Sequence, residues 1–456
     1  MNTLERISKY NYPVPRYTSY PPANLFQDSF SGDDYSWAVT ASNVSSQQLI
    51  SFYIHIPFCK HLCHYCGCNS QGMKSEETIA RYVDCLHQEI NHVKSQLSSH
   101  RKLAQIHYGG GSPTAIPLHY LKELNVHLLE GVETIDQPEI AIECHPGYLN
   151  EEDWDQLIDA GFTRFSLGVQ DFNEDVLKTA NRRPALLPVE DIVQKLHAAG
   201  ARVNLDFIYG LPKQTAASFK ATIQRAIDAH PDRLVTFSYA HVPWVNKAML
   251  ILEKVGLPSS EEKQAMFENA TEVLHQAGYA SIGMDHFVRP DDELYVALRE
   301  GNLHRNFQGY CTRRTTGQVY AFGVSAISQL DSVYAQNTKV LDEYMQHVES
   351  GNSPVVRGYQ LTPSLQIVRA LIDMLMCNNR ITWPELELHV HMSKADILAQ
   401  TAYNQETFHT FVDDGLLVQE QDVWTMTPEG LPFVRNIAAA FDPLLVEGTQ
   451  TFSKPL

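Results

Sequence analysis

Four cysteines fall within ten residues, Cys59-Lys-His-Leu-Cys63-His-Tyr-Cys66-Gly-Cys68, directly after the apolar run "ISFYIHIPF". The first three are spaced C-x3-C-x2-C. Thiolates are soft ligands that select zinc, copper(I) or iron–sulfur clusters over hard cations. A structural zinc site draws its ligands as two pairs separated by a long loop. No second C-x2-C or H-x3-H pair follows here at a suitable distance. Three thiolates from one tight loop can each hold one iron of a 4Fe–4S cube and leave the fourth open to a chelating ligand, so that the cluster does chemistry as well as carry electrons. The spacing favours such a cluster; zinc and four unrelated core thiols are the weaker alternatives.

A loop of this kind needs a scaffold. From about residue 50 to 290, β-branched and aromatic runs alternate with helical patterns: "ISFYIHI", "LAQIHYG", "PEIAIEC", "TRFSLGVQ", "RVNLDFIYG", "RLVTFSYAHV" and "ASIGMDHF". Between the first two, Ile79, Val83, Leu86, Ile90, Val93 and Leu97 recur at three- and four-residue steps, which predicts an amphipathic helix. The alternation predicts an α/β fold with a parallel sheet of βαβ units, open or curled into a barrel. Nearly every strand ends in polar or glycine residues: His55, Gly109 to Gly111, Glu143, Gln170, Asp206, His241, and Asp285 with His286. In parallel α/β folds the site lies at the strands' carboxyl ends. Seven polar ends beside a cysteine loop are more than the exit of strands from a core requires.

The 456 residues suffice for one large domain and a smaller one. A net charge of −18 argues against a nucleic-acid or anionic-membrane surface, both of which need clustered Lys and Arg. No apolar stretch is long enough to span a bilayer, and the start, "MNTLERISKYNYPVPRY", lacks the pattern of a signal or transit peptide. Cys85, Cys144, Cys311 and Cys377 are scattered without a disulfide framework, which fits the cytoplasm. Residues 1–48, with "YNYPVPRYTSYPP", read as an extended arm. Residues 49–355 read as the barrel with its cysteine loop. Residues 356–456 read as a small helical, winged-helix-like cap ("TPSLQIVRALIDMLMC", "WPELE", the hairpin "LLVQEQDVWTMT" and a last helix) without the basic helix of a DNA-binding wing.

The string "CKHLCHYC" resembles the cluster motif of the radical S-adenosylmethionine (SAM) enzymes. The longer "YIHIPFCKHLCHYCGCN", with "VPRYTSYP", "HYGGGSPT", "SLGVQDFN", "LDFIYGLP", "GMDHFVRPDDEL", "RNFQGY" and "GVSAISQ", resembles one branch, the oxygen-independent coproporphyrinogen III oxidases. The resemblance implies an incomplete barrel of about six βα units. It implies one 4Fe–4S cluster on Cys59, Cys63 and Cys66. SAM on the open iron would be split to methionine and a 5′-deoxyadenosyl radical. It assigns Tyr53, Gly110, Glu143 and Ile327 to that SAM, and Tyr65, Gly111, Ser112, Gln170, Arg182, Asp206 and Ala240 to a second one. Chemistry agrees for Glu143, whose carboxylate can accept from both ribose hydroxyls. It agrees for Tyr53 too, which shares a strand face with His55 and could set its ring beside the sulfonium. Tyr65 stands where relatives can carry Phe, and Ser112 where Thr is familiar; both swaps keep the aromatic face or the hydroxyl. Phe307 and Gln308 are expected in the same cavity. Cys68 sits too close to Cys66 for easy ligation of the same cube, and is expected beside the second SAM or the substrate.

The implied substrate is coproporphyrinogen III, two of whose four propionates become vinyl groups by hydrogen abstraction and loss of carbon dioxide, giving protoporphyrinogen IX. Carboxylates call for Arg or Lys, and Arg16, Arg289, Arg305, Arg313 and Arg314 are candidates. A one-electron reductant such as a flavodoxin or ferredoxin is implied, and a monomer. Two other classes are weighed: a haem-binding or trafficking relative that keeps the cluster without decarboxylating, and an iron–sulfur electron carrier. Cys68, the "PRYTSYP" arm and "RNFQGY" favour the enzyme.

Overall fold

The computed structural model describes residues 1, 3–45, 48–312, 318–445 and 452–455. Six strands run parallel in sequence order: β1 (Leu49–Ile56), β2 (Lys102–Gly110), β3 (Glu133–Cys144), β4 (Arg164–Gln170), β5 (Arg202–Tyr209) and β6 (Arg233–Ser238). The alternation of residue types explains how they sit. On β4, Phe165, Leu167 and Val169 are buried while Arg164, Ser166, Gly168 and Gln170 are half-buried. On β5, Val203, Leu205 and Phe207 are buried and Asn204, Asp206 and Ile208 half-buried. A pleat of period two puts these sets on opposite faces. The apolar face packs with the buried stripes of the helices Glu76–Lys94, Val189–Ala198 and Ala216–Asp228 in one large core, each buried large side chain contributing about 1.5–3 kcal/mol. The polar face looks into the sheet's interior.

The sheet extends on both sides. Next to β1 lies a seventh parallel strand, Gln318–Phe322, followed by the antiparallel strands Ile327–Gln329, Val333–Asn337 and Val355–Gln360. These four were not foreseen from the sequence. Beyond β6, "ASIGMDHF" is a hairpin of Ala280–Ile282 and His286–Val288 rather than one strand, because the chain reverses at Gly283 with φ +60°. Likewise β6 stops at Ser238, which leaves His241 in the following loop.

Helix Glu76–Lys94 is N-capped by Ser75 and buries Ile79, Val83, Leu86, Ile90 and Val93; Leu97 lies past its end. It also buries a carboxyl. Glu89 accepts from Gly323 N (2.8 Å), Tyr344 Oη (2.7 Å) and Asn337 Nδ2 (2.7 Å), with burial pushing its pKa up to about 7 against the pull of these bonds. Tyr82 of the same helix donates to the His55 carbonyl at 2.7 Å and accepts from Val324 N at 3.1 Å. The helix thus clamps the end of β1 to the turn that leads into Ile327.

The C-terminal region carries helices Pro363–Asn378, Trp383–Val390, Lys394–Ala399, Gln405–Asp413 and Val434–Ala439 around a three-stranded antiparallel sheet, Arg380–Thr382, Val423–Met426 and Leu417–Gln419. It has its own core, including Leu371, Leu375, Trp383, Phe408, Trp424 and Phe441. The expected boundary at 355/356 falls inside strand Val355–Gln360, which hydrogen-bonds to the large sheet. The expected extended arm contains two helices: Thr3–Tyr10, which buries Ile7 and Tyr10 in the C-terminal core, and Gly32–Ser42, which buries Tyr35, Ala38 and Val39 in the large one. Between them Tyr17 and Tyr20 donate to Asp442, both at 2.9 Å. Among the described residues no helix is long and apolar enough to cross a membrane.

Candidate active site

The cysteine loop leaves β1 at Pro57 and is closed where Phe58–Cys59 pairs with Gln71–Gly72. Gly111 N donates to Ile56 O (2.8 Å) and Ser112 N to Phe58 O (3.0 Å), tying the loop's root to the end of β2. Its far side is held by His64 N to Ala180 O (3.0 Å), Asn181 Nδ2 to Leu62 O (2.9 Å) and Asn246 Nδ2 to Cys66 O (2.9 Å). Cys63 is buried, Cys59 and Cys66 are half-buried and Cys68 is exposed, and all four line one cavity of about 440 Å³. Burial pushes the Cys59 thiol up to about 12, while a hydrogen bond with Cys68 draws that of Cys66 down to about 6.

The ends of β1, β2 and β3 converge on this loop. Tyr53 and His107 face each other across β1 and β2 with stacked rings, 5.9 Å between centroids, and His107 Nε2 lies 3.2 Å from Glu143 Oε1. Tyr53 Oη is 3.3 Å from His55 Nδ1, and His55 Nε2 is 3.0 Å from Asn69 O in the cysteine loop. The glycine triplet is what this crowding requires. A Cβ at Gly110, where φ is +113°, would meet the His55 ring at 2.7 Å; one at Gly111 would meet Pro57 O at 2.7 Å and Cys59 Sγ at 3.0 Å.

The residues foreseen from the sequence fall into three adjoining cavities. Tyr53, Gly110, Glu143 and Ile327 line one of about 700 Å³ together with Cys68, Phe307 and Gln308. Tyr65, Gly111, Ser112, Gln170, Arg182 and Asp206 line the cavity of the four cysteines, which Gly110, Glu143, Phe307 and Gln308 also reach. Ala240 is apart from these: it lines a third cavity of about 400 Å³ with Arg16 and Tyr65. Arg182 donates to Tyr65 Oη (3.0 Å), Cys63 Sγ (3.5 Å) and the Gly168 carbonyl. Gln170 holds the left-handed φ of +71°, and its buried Oε1 has no protein partner, which is strain and an unmet acceptor at one site residue. Asp206 accepts from Ser166 Oγ (2.6 Å) and Asn204 Nδ2 (2.7 Å), yet burial, with Glu143 nearby, lifts its pKa to about 6.

Sequence reasoning missed His107, Ser166, Asn204 and the charged floor of the cavity. There Arg164 pairs with Glu139 (2.6 Å) and Arg233 with Asp292 (2.8 Å), and both reach Glu293 at 3.2 Å. The signal was present: Gln105, His107 and Gly109, or Arg164, Ser166, Gly168 and Gln170, are polar or small at every second position. Of the foreseen cations, Arg305 is buried and donates to Arg16 O at 2.8 Å, so it anchors the N-terminal segment. Arg16 lies 4.0 Å from Asp285. Arg289 is exposed and outside the three cavities. Arg313 and Arg314 lie outside the described residues. His241 sits 3.6 Å from Glu253, away from the cysteines' cavity. Despite burial, Asp285 is held below the usual carboxylate range by His286, Arg305 and Arg16. His286, 2.7 Å from Asp285, lines the cavity.

The donor set fits a cluster: Cys59, Cys63 and Cys66 line one cavity, and thiolates are the ligands that hold iron–sulfur clusters. The glycine cradle beside Cys59 and the unmet Gln170 acceptor leave room and hydrogen-bonding capacity for a polar ligand next to it.

Residues 53–226 match the model of the radical SAM superfamily. The chain is 39% identical over 443 residues to the oxygen-independent coproporphyrinogen III oxidase of Escherichia coli (strain K12), covering 97% of this chain and 95% of that one. It is 35% identical over 460 residues to the protein of that name from Synechocystis, covering 100% and 98%. A solved structure, coproporphyrinogen III oxidase from Escherichia coli, described as a radical SAM enzyme, superposes with a TM-score of 0.86 at 37% identity, over 94% of this chain and 98% of that one.

Proposed function

Because the chain belongs to the oxygen-independent coproporphyrinogen III oxidases, oxidoreductases of the radical SAM superfamily, we propose that it converts two propionate side chains of coproporphyrinogen III to vinyl groups, giving protoporphyrinogen IX. A 4Fe–4S cluster with SAM supplies, when bound, a reductively generated 5′-deoxyadenosyl radical able to take a hydrogen atom from unactivated carbon. In this reading Cys59, Cys63 and Cys66 hold the cluster, and a one-electron reductant such as a flavodoxin or ferredoxin supplies its electron. Tyr53, Gly110, Glu143 and Ile327 bind the SAM on the cluster. Glu143 accepts from its ribose hydroxyls, and His107, bonded to Glu143, fixes that carboxylate's direction. Tyr65, Gly111, Ser112, Gln170, Arg182 and Asp206 take a second SAM, with Ala240 at the edge of that site.

Phe307, Gln308 and Cys68 reach both larger cavities, a position suited to groups that touch the substrate. Arg164, already ion-paired with Glu139 and Glu293, keeps a buried Nη1 without a protein partner, an N–H donor for a propionate at the cavity floor. The arm (1–48) and the C-terminal module, which begins after strand Val355–Gln360, cap the barrel, a reading supported by Arg16 and Phe452 both lining the third cavity. The chain works as a cytoplasmic monomer.

The observation that carries this reading is that the four cysteines open into a cavity walled by the polar faces of β2 to β6. It is tested with reconstituted protein, reductant, SAM and coproporphyrinogen III without oxygen. The expected product is lighter by two carbon dioxides and four hydrogens, with 5′-deoxyadenosine and methionine formed in step. Retained porphyrin or haem with no loss of carbon dioxide would make the chain a binding protein instead.

A further inference from the structure

The chain carries 53 acidic against 35 basic residues; residues 53–75, which hold the cysteine loop, and 176–188, which hold Lys178, Arg182 and Arg183, are among its stretches without Asp or Glu. The fold brings them together. His64 N donates to Ala180 O (3.0 Å), His64 Nδ1 lies 3.2 Å from Thr179 O, and Asn181 donates to Leu62 O. The outer surface they form is organised around Tyr148. Lys60 Nζ and Arg183 Cζ each lie 5.4 Å from the centre of its ring. His61 stacks on that ring, 5.8 Å between centroids, with its Nδ1 2.6 Å from Tyr148 Oη. Leu62, 46% exposed, adds an apolar point beside them. Next to it a shallow cavity of about 480 Å³ is lined by His61, Lys178, Asn181, Arg182 and Arg183, with Glu174 and Asp175 as the acidic members of its wall.

Lys60, Lys178 and Arg183 are exposed, and among the described residues none of the three has an ion-pair partner. Some exposed cations elsewhere are paired, Arg81 with Glu349 and Arg225 with Glu190, while others, Lys122, Lys213 and Lys254 among them, have no ion pair among the described residues. Lys60, Lys178 and Arg183 lie at the exposed rim of the cysteines' cavity, which Lys60 also lines, and Lys60 directly follows Cys59 in the chain. On a molecule of charge −18, such a patch is a local attractor for an acidic surface and the rest of the molecule repels one, so the field favours this orientation.

We infer that the surface of Lys60, His61, Leu62, Lys178 and Arg183 around Tyr148 is where an acidic one-electron carrier protein docks to reduce the cluster. The inference rests on the proposed radical SAM reading, because only a reducible cluster needs such a partner. Charge complementarity selects the partner, and position selects its purpose: electron transfer falls off steeply with distance, and the exposed Lys60 and His61 directly follow Cys59 in the chain. A carboxylate-bearing small molecule would suit the same cations, since Lys60 also lines the cysteines' cavity, and a raised KM for coproporphyrinogen III in place of the carrier's would reveal it.

The test compares Lys178→Glu/Arg183→Glu with Lys102→Glu, a control at the far end of β2 from Gly110. SAM cleavage is driven in one arm by dithionite and in the other by reduced flavodoxin at varied concentration. The expected result is unchanged dithionite-driven cleavage, a carrier KM raised roughly tenfold or more, and a weaker dependence of that KM on ionic strength, with Lys102→Glu as wild type. An unchanged carrier KM overturns the inference. So does a loss shared equally by both arms, which would make these residues supports of the loop, and so does a raised KM for coproporphyrinogen III in its place. Absence of dithionite-driven cleavage in the unsubstituted protein would instead sink the radical SAM reading itself.

Discussion

Replacing Gly111 by alanine separates a glycine needed for close approach from one that merely occupies a turn. The new Cβ would lie 2.7 Å from Pro57 O, 2.8 Å from Pro57 C and 3.0 Å from Cys59 Sγ. Ordinary contact begins at 3.4 Å, so the chain must yield by about 0.7 Å against backbone, not against a flexible side-chain tip. That backbone is pinned on both sides: Gly111 N donates to Ile56 O and Gln71 N to Pro57 O, each at 2.8 Å. Overpacking costs ~1–3 kcal/mol, and a hydrogen bond stretched to relieve it adds ~1 kcal/mol. A total of ~3 kcal/mol shifts the population of the closed cysteine loop by ~100-fold. Because the strain falls at the loop's root and not in the core, the far-UV circular dichroism should stay as in the wild type. Anaerobically reconstituted protein should lose most of its broad visible absorbance and release iron to a chelator much faster. Gly72→Ala, in the same loop but with nothing within 4 Å of the added Cβ, is the control and should behave as wild type. A Gly111→Ala protein with full, chelator-resistant iron would refute the close-packing argument.

Cys59→Ala, Cys63→Ala and Cys66→Ala should each abolish the cluster's visible absorbance, whereas Cys68→Ala should retain it and lose substrate turnover, as read by iron content and product formation; an intact cluster in Cys66→Ala would remove that ligand from the set. Glu143→Gln keeps the shape but exchanges a charged acceptor for an amide, so the SAM concentration for half-maximal cleavage should rise by the equivalent of about 1–3 kcal/mol. Glu89 has a native pKa near 7 against 4.5 unpaired; the folded state therefore holds its proton longer, and stability should fall by about 3 kcal/mol as pH rises from about 4.5 to 7. That slope, read from denaturant midpoints across this range, should flatten in Glu89→Gln whatever the variant's absolute stability.

Much of this was legible in the sequence because period and spacing are local. The C-x3-C-x2-C loop, the strand endings at His55, Glu143, Gln170 and Asp206, and the helix stripe from Ile79 to Val93 follow from residues that stand close together in the chain. What escaped depends on distant pairing. Strand Gln318–Phe322 reads as a short buried run, and only its parallel partner β1, some 270 residues earlier, makes it part of the barrel. Arg305 looks like a free cation until its bond to the Arg16 carbonyl shows it is a tether. His107 shares its strand face with Gly109, a pattern visible in "AQIHYGG", but its partner Glu143 lies 36 residues on. Ala240 was assigned by resemblance alone, and the local end of β6 at Ser238 carries it into a neighbouring cavity.

The central claim is that the chain removes hydrogen from the substrate's propionate arm by a SAM-derived radical held in this cavity. It is tested most directly with coproporphyrinogen III deuterated at the propionate β-carbons, incubated without oxygen with SAM and reductant. The account predicts one deuterium recovered in 5′-deoxyadenosine for each carbon dioxide released, with protoporphyrinogen IX as the product. Carbon dioxide released with unlabelled 5′-deoxyadenosine would contradict it.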